Sequence, residues 1–185
     1  MPNIEIELNA VDFVTIGTIG PKGQRTFYLQ AGQENRLVSM IIEKEQSWAL
    51  SEALRELIDD LDKRYAGETT ADLNILDMEL REPIEPVFRV AQMGLGYDED
   101  RDRVVLVAQE LVPQAEGEDD DDDEDDDDII DDLLPGGDDD KDKPGVVRMW
   151  CSREQMRALS LHSMETVKSG RADPRQNGRL IYYWT

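Results

Sequence analysis

Apolar and polar residues alternate from the start of the chain. In "NIEIEL", Ile4, Ile6 and Leu8 interleave with Asn3, Glu5 and Glu7, the period-two pattern of a strand with one buried face. "DFVTIGTIG" follows as a second strand, and Gly20, Pro21 and Gly23 break the chain in "GPKGQ". "RTFYLQA" and "RLVSMIIE", joined by the short connection "GQEN", complete an antiparallel meander. From about Lys44 the period becomes helical. Leu50, Ala53, Leu54, Leu57, Ile58, Leu61 and Tyr65 share one face, with Glu52, Arg55, Asp59, Asp60 and Lys63 opposite and Gly67 as the stop. Residues 66–85 read as loop, punctuated by Pro83 and Pro86.

"VFRVAQMGLGYDEDRDRVVLVAQEL" then reads as a hairpin turning at Asp98–Asp102. After an acidic run, "GVVRMW" is another strand. "SREQ" at Ser152–Gln155 is a capping box, in which Ser152 accepts from a backbone N–H and Gln155 reaches back. The second helix runs to about Ser169 and is closed by Gly170. Met156, Leu159, Met164 and Val167 form its inner face, with Ser160 and Ser163 among them. "RLIYYW" is a last strand, and no internal repeat is visible. The pattern predicts an α+β fold: a mostly antiparallel sheet of about seven to eight strands, two helices packed on it, and a disordered acidic loop interrupting it. One domain spans 1–185 with the insert at 116–143, because the piece after the insert is too small to bury a core alone.

Charge sharpens this division. The chain of 185 residues carries a formal net charge of -23. Residues 116–143 hold 18 acidic and 2 basic residues, which leaves -7 for the rest. So acidic a chain is a poor match for nucleic acid, whose phosphates require a basic surface. The single cysteine, Cys151, excludes an intramolecular disulfide and points to a reducing compartment. The start of the chain lacks a signal-peptide pattern, and no window approaches the roughly 20 apolar residues of a membrane span. A cytoplasmic protein is expected.

Candidate chemistry is sparse. No EF-hand register fits the acidic insert, which is expected to bind divalent cations only weakly and at many sites. Within it, Ile129, Ile130, Leu133 and Leu134 of "DDIIDDLL" make one helical stripe, a candidate docking motif for a basic, apolar groove. The basic segment carrying Lys168, Arg171, Arg175 and Arg179 is a candidate internal partner for that insert. "GTIGPKGQR" lacks the Lys-Ser/Thr ending of a P-loop and reads as a hairpin turn. His162, the only histidine, is expected on the exposed side of the second helix, and Cys151 as a small buried residue. No catalytic set, metal site or cofactor motif emerges.

The blocks "FVTIGTIGPKGQRTFYLQA", "VSMIIEKEQ", "FRVAQMGLGYDEDRDRVVLVAQE" and "MRALSLHSMETVKSGR" resemble, in order, a bacterial family catalogued as domain of unknown function 3090. The resemblance implies a bacterial cytoplasmic protein. It also implies a Cys-x-x-Cys pair followed by His and Cys near the end, suited to one zinc ion. This chain instead reads "ADPRQNG" after Arg171, so no zinc site is carried over. Two functions stay open. One is a non-catalytic binding or adaptor module with protein partners, with a homo-oligomer also open. The other is a domain, binding or enzymatic, acting on a phosphorylated metabolite, with Arg25, Arg89 and Arg103 as anion contacts. Convergence of these arginines in one concave pocket would favour the second.

Overall fold

The computed structural model describes residues 3–113 and 143–169. Along the chain run β1 (Glu5–Leu8), β2 (Phe13–Ile19), β3 (Thr26–Gln33), β4 (Arg36–Ile42), α1 (Lys44–Arg64), β5 (Pro86–Asp98), β6 (Arg103–Glu110), β7 (Val146–Cys151) and α2 (Arg153–Ser169). This is the expected α+β arrangement, with seven strands among the described residues. The eighth, expected at "RLIYYW", and the docking stripe Ile129, Ile130, Leu133 and Leu134 lie outside them.

The strands form one sheet in the order β1-β7-β6-β5-β4-β3-β2. One pairing corrects the expected meander, and a second, outside it, is also parallel. β1 leaves β2 and pairs in parallel with β7, and β4 pairs in parallel with β5. The remaining pairings are antiparallel. β1 and β2 stand at opposite ends of this order, yet only residues 9–12 join them. Five residue steps reach at most about 18 Å, whereas six strand spacings in a flat sheet span about 29 Å. The sheet is therefore strongly curled. Consecutive residues of the link prove the closure: Val11 N–H donates to Trp150 O on β7 at 3.1 Å, and Asp12 N–H donates to Gly32 O on β3 at 2.7 Å.

A repeat that the sequence reading did not find organises the whole molecule. The hairpin β2–β3, paired from Phe13↔Gly32 to Ile19↔Thr26, recurs as β5–β6, paired from Gln92↔Gln109 to Asp98↔Arg103. Leu29 opposite Met40 and Ala31 opposite Val38 recur as Leu106 opposite Met149 and Ala108 opposite Val147. Glu45-Gln46-x-x-Ala49-Leu50-Ser51 of α1 recurs as Glu154-Gln155-x-x-Ala158-Leu159-Ser160 of α2. β5 performs in one strand, bulged between Val90 and Gln92, what β1, its link and β2 perform in two.

The helix starts obey the same symmetry. Gln46 accepts from Glu43 N–H at 2.7 Å and donates to Val90 O and Ala91 O at 3.1 Å. Gln155 accepts from Ser152 N–H at 2.8 Å and donates to Val11 O at 2.9 Å. Each glutamine caps its own helix and pins the other half, Gln46 at β5 and Gln155 at the link before β2. The expected box at Ser152 is present, completed by Gln155 N–H to Ser152 Oγ at 3.1 Å.

The helices cross at two buried serines. Ser51 Oγ donates to Ser160 O at 2.7 Å, and Ser160 Oγ donates to Ser51 O at 2.8 Å. Small side chains allow the close approach, and the reciprocal bonds satisfy both hydroxyls. This contact turns the buried stripe of α1 toward Ser47 and Ser51. Leu50, Leu54, Ile58 and Leu61 are buried as expected, while Ala53 and Tyr65 are exposed. One apolar cluster joins both helices to the sheet on each side of the insert. Ala66, at φ 48°, takes the left-handed position at the end of α1, and Gly67 N–H closes the turn on Asp62 O.

Residues 66–85 form a strap over the outer face of the first half. Thr15, Gln30 and Ser39 lie side by side across β2, β3 and β4, fully buried. Thr15 Oγ1 donates to Met78 O at 2.6 Å. Gln30 Nε2 donates to Ser39 Oγ at 3.0 Å and to Arg81 O at 2.8 Å, and Gln30 Oε1 accepts from Arg81 N–H at 2.7 Å. Leu80 packs onto Gly17, where any Cβ would collide with it. The Arg81 guanidinium lies 3.6 Å from the Phe13 ring centroid.

Candidate functional site

The hairpin turn at Gly20–Arg25, with Gly20 and Gly23 at positive φ, ends beside the start of α1. Together they bound a cleft of about 340 Å³ lined by Gly23, Arg25, Thr26, Phe27, Ile41, Ile42, Glu43, Lys44 and Arg89. Two of the three arginines singled out in the sequence, Arg25 and Arg89, meet here, and Lys44 joins them as the first residue of α1. Arg103, at the start of β6, does not line the cleft and stands instead beside Asp102. Arg89 is held by an ion pair with Glu43. Arg25 Nη1 donates weakly to Ser169 Oγ at 3.4 Å. Among the described residues no carboxylate forms an ion pair with Arg25 or Lys44.

The repeat makes this charge pattern informative. In the second half Asp102 takes the place of Arg25, and Arg153 that of Lys44. There the corner is closed: Arg153 Nε lies 2.9 Å from Asp102 Oδ1, and its Nη2 donates to Oδ2 at 2.9 Å. Tyr97 Oη donates to the same carboxylate at 2.6 Å. The hydrogen bonds from Arg153 and Tyr97 hold the Asp102 carboxyl below its usual range. The bond to Asp102 in turn pushes the Tyr97 phenol up to about 12. Arg153 also stacks over Tyr65, whose hydroxyl donates to Glu99 at 2.6 Å. One half thus presents two cations where the other has a bidentate ion pair.

Other polar residues take structural places. Cys151 is fully buried, and desolvation pushes its thiol up to about 12, so it is a packed core residue as expected. His162 departs from expectation: it is half-buried, because α2 lies against β2. Burial lowers its pKa, opposed by its hydrogen bond to the Ile16 backbone and by Glu165. Burial raises the Asp62 carboxyl, but bonds from the Thr69 side chain and backbone, with the Arg157 charge, outweigh it and leave the net shift downward. Arg157 also donates to Asp59 at 2.7 Å and to Thr69 O at 3.1 Å, tying the start of the strap to α2.

The sequence reading missed Lys44. The only signal able to find it was the short EQ-x-x-ALS repeat, which aligns Lys44 with Arg153 and exposes the missing acid. No helix among the described residues is long and apolar enough to cross a membrane. No curated protein and no solved structure matches the chain. A family described as protein of unknown function (DUF3090) matches residues 6–176, and the single cysteine agrees with the absence of a Cys-rich tail. The match covers most of the chain, and the chain belongs to that family.

Proposed function

We propose that this protein is a non-catalytic binding module that takes a phosphorylated small molecule in the cleft at the start of α1. The carrying observation is the substitution of Arg25 and Lys44 for the Asp102–Arg153 ion pair of the other half. Two cations in one cleft repel each other unless an anion lies between them. A guanidinium offers a planar fork to phosphate oxygens, and an ammonium adds a point charge. The N-terminal end of α1 contributes positive potential of the same sign. The cleft volume suits a small metabolite.

Catalysis has no support in the lining. Its one carboxylate, Glu43, is neutralised by Arg89, and no nucleophile stands beside a base there. An adaptor for protein partners draws less support than ligand binding. The exposed large apolar residues are spread along the chain: Ile19 on β2, Trp48 and Tyr65 at the two ends of α1, Ile75 in the strap, Leu111 and Val112 after β6, and Leu161 on α2.

The test is a thermal shift and calorimetric titration with inorganic phosphate, pyrophosphate, a sugar phosphate and the parent sugar. The phosphorylated compounds should raise the melting temperature, because a ligand bound only to the native state stabilises it. The parent sugar should not. Arg25→Ala or Lys44→Ala should weaken binding about tenfold or more, the loss of one charge-assisted contact. Arg36→Ala, at the far hairpin, should leave it unchanged. Absence of a shift with every phosphorylated compound at millimolar concentration would overturn the reading.

A further inference from the structure

The same repeat leaves one surface open. The strap that follows α1 covers Thr15, Gly17 and Gln30. Their counterparts on the outer face of the second half are Gly94, Gly96 and Val107, with Val105 and Trp150 beside them. Gly94 and Gly96 are exposed, and a Cβ at either would meet nothing within 4 Å. Val105, Val107 and Trp150 are only partly buried. Two side-chain-free positions on β5 therefore leave a shallow trough, floored by glycine and walled by Val105, Val107 and Trp150, with Arg148 opposite Val107 and the Arg101 guanidinium over the Trp150 ring. Gly17, the counterpart of Gly96, holds Leu80 of the strap in the equivalent place.

We propose that the residues following α2, 170–185, dock in this trough as the second strap of the repeat. Three observations select this occupant over others. The first is position: in the first half the covering segment follows the helix of that half, and 170–185 follow the helix of the second. The second is reach. Met78, Leu80 and Arg81 come 14, 16 and 17 residues after Arg64, the last residue of α1. Tyr183 and Trp184 come 14 and 15 residues after Ser169, the last of α2. The third is chemistry. "LIYYW" at 180–184 supplies large apolar and aromatic groups for a trough whose strand positions carry no side chain. The bases Arg171, Arg175 and Arg179 precede it, and Glu5 and Glu7 edge the trough on β1, sharing the single partner Arg148.

Paired cysteines in the full chain test this. Cys151 is buried and does not compete. A Val107→Cys, Tyr183→Cys double variant should close a disulfide within one chain under mild oxidation, at a rate independent of protein concentration. It should do so at least tenfold faster than an Arg55→Cys, Tyr183→Cys control on the exposed side of α1. Equal rates for the two pairs would overturn the proposal. So would a link formed only between chains, which would give the trough to a second copy. A second measurement does not depend on cysteine register. Gly96→Val should lower the melting temperature of the full chain by about 5 °C. The loss should vanish when Leu180, Ile181, Tyr182, Tyr183 and Trp184 are all serine. An equal loss in both backgrounds, or none in the full chain, would contradict docking at Gly96.

Discussion

The two halves of this protein share strand register, core ladder and helix caps, and they differ where a duplicated fold is free to differ. In the first half the outer sheet face is sealed by residues 66–85 through the buried Thr15, Gln30 and Ser39, while the corner at the start of α1 carries Arg25 and Lys44. In the second half the corner is closed by Asp102 and Arg153, while the outer face presents Gly94, Gly96, Val105 and Val107. The shared parts are those that bury apolar surface or satisfy backbone groups. The unshared parts lie outside that common core, on the outer sheet face and at the corner by each helix start, where the two halves can diverge and a difference can be kept for binding.

The largest test of this contrast is at the strap. Gln30→Leu leaves Arg81 N–H and Arg81 O without their buried partner and should destabilise the protein by about 3 kcal/mol in chemical denaturation. Val107→Ala, at the matching position of the second half, should cost about 1 kcal/mol or less. A loss of about 1 kcal/mol or less from Gln30→Leu as well would mean that the strap contributes little to stability. Next is the helix crossing. Ser51→Ala and Ser160→Ala should each cost about 1 kcal/mol, and by symmetry the two losses should match. A double-mutant cycle should show coupling between them, since each hydroxyl binds the backbone of the other residue.

Much of the fold was legible because it rests on local patterns. The turn-bounded strand runs of β2, β3 and β6, the stripe of Leu50, Leu54, Ile58 and Leu61, and the Ser152–Gln155 box are each local features of one element. The placement of β1 was not legible. Its alternation is the same whether it pairs with β2 or β7, and only the curl of the sheet decides. Apart from the short EQ-x-x-ALS match at the helix starts, the repeat escaped because its shared features are opposed pairs, Leu29 with Met40 and Leu106 with Met149, which become visible only across a ladder. Of the site, Arg25 and Arg89 were named from the sequence, but Lys44 was hidden in a helix start. What makes it notable is an absent partner, and that absence is defined only by comparison with Arg153. His162 was misplaced because the outward side of the α2 stripe is covered by β2.

Two smaller effects sharpen the comparison further. Ala66→Gly should stabilise the protein by about 0.5–1 kcal/mol, because glycine takes the left-handed turn at the end of α1 without Cβ strain. His162 should give the first half a pH response that Ala53, its counterpart on α1, cannot give the second. The folded pKa of His162 is lowered, so its contribution is present above about pH 6.5, the unfolded value, and is lost as pH falls through the folded value. The stability difference between wild type and His162→Gln should therefore shrink on acidification from pH 7 to 5. A difference that stays constant would place the histidine outside any native contact.

The central claim is that the first half binds an anion where the second half supplies its own carboxylate. The most direct measurement grafts that carboxylate: calorimetric titration of pyrophosphate into wild type and into Arg25→Asp, which copies Asp102 opposite Lys44. Wild type should bind with a dissociation constant below about 1 mM. Arg25→Asp should show no binding, and it should melt at or above the wild-type temperature. Pyrophosphate binding of equal affinity in the two proteins would contradict the account.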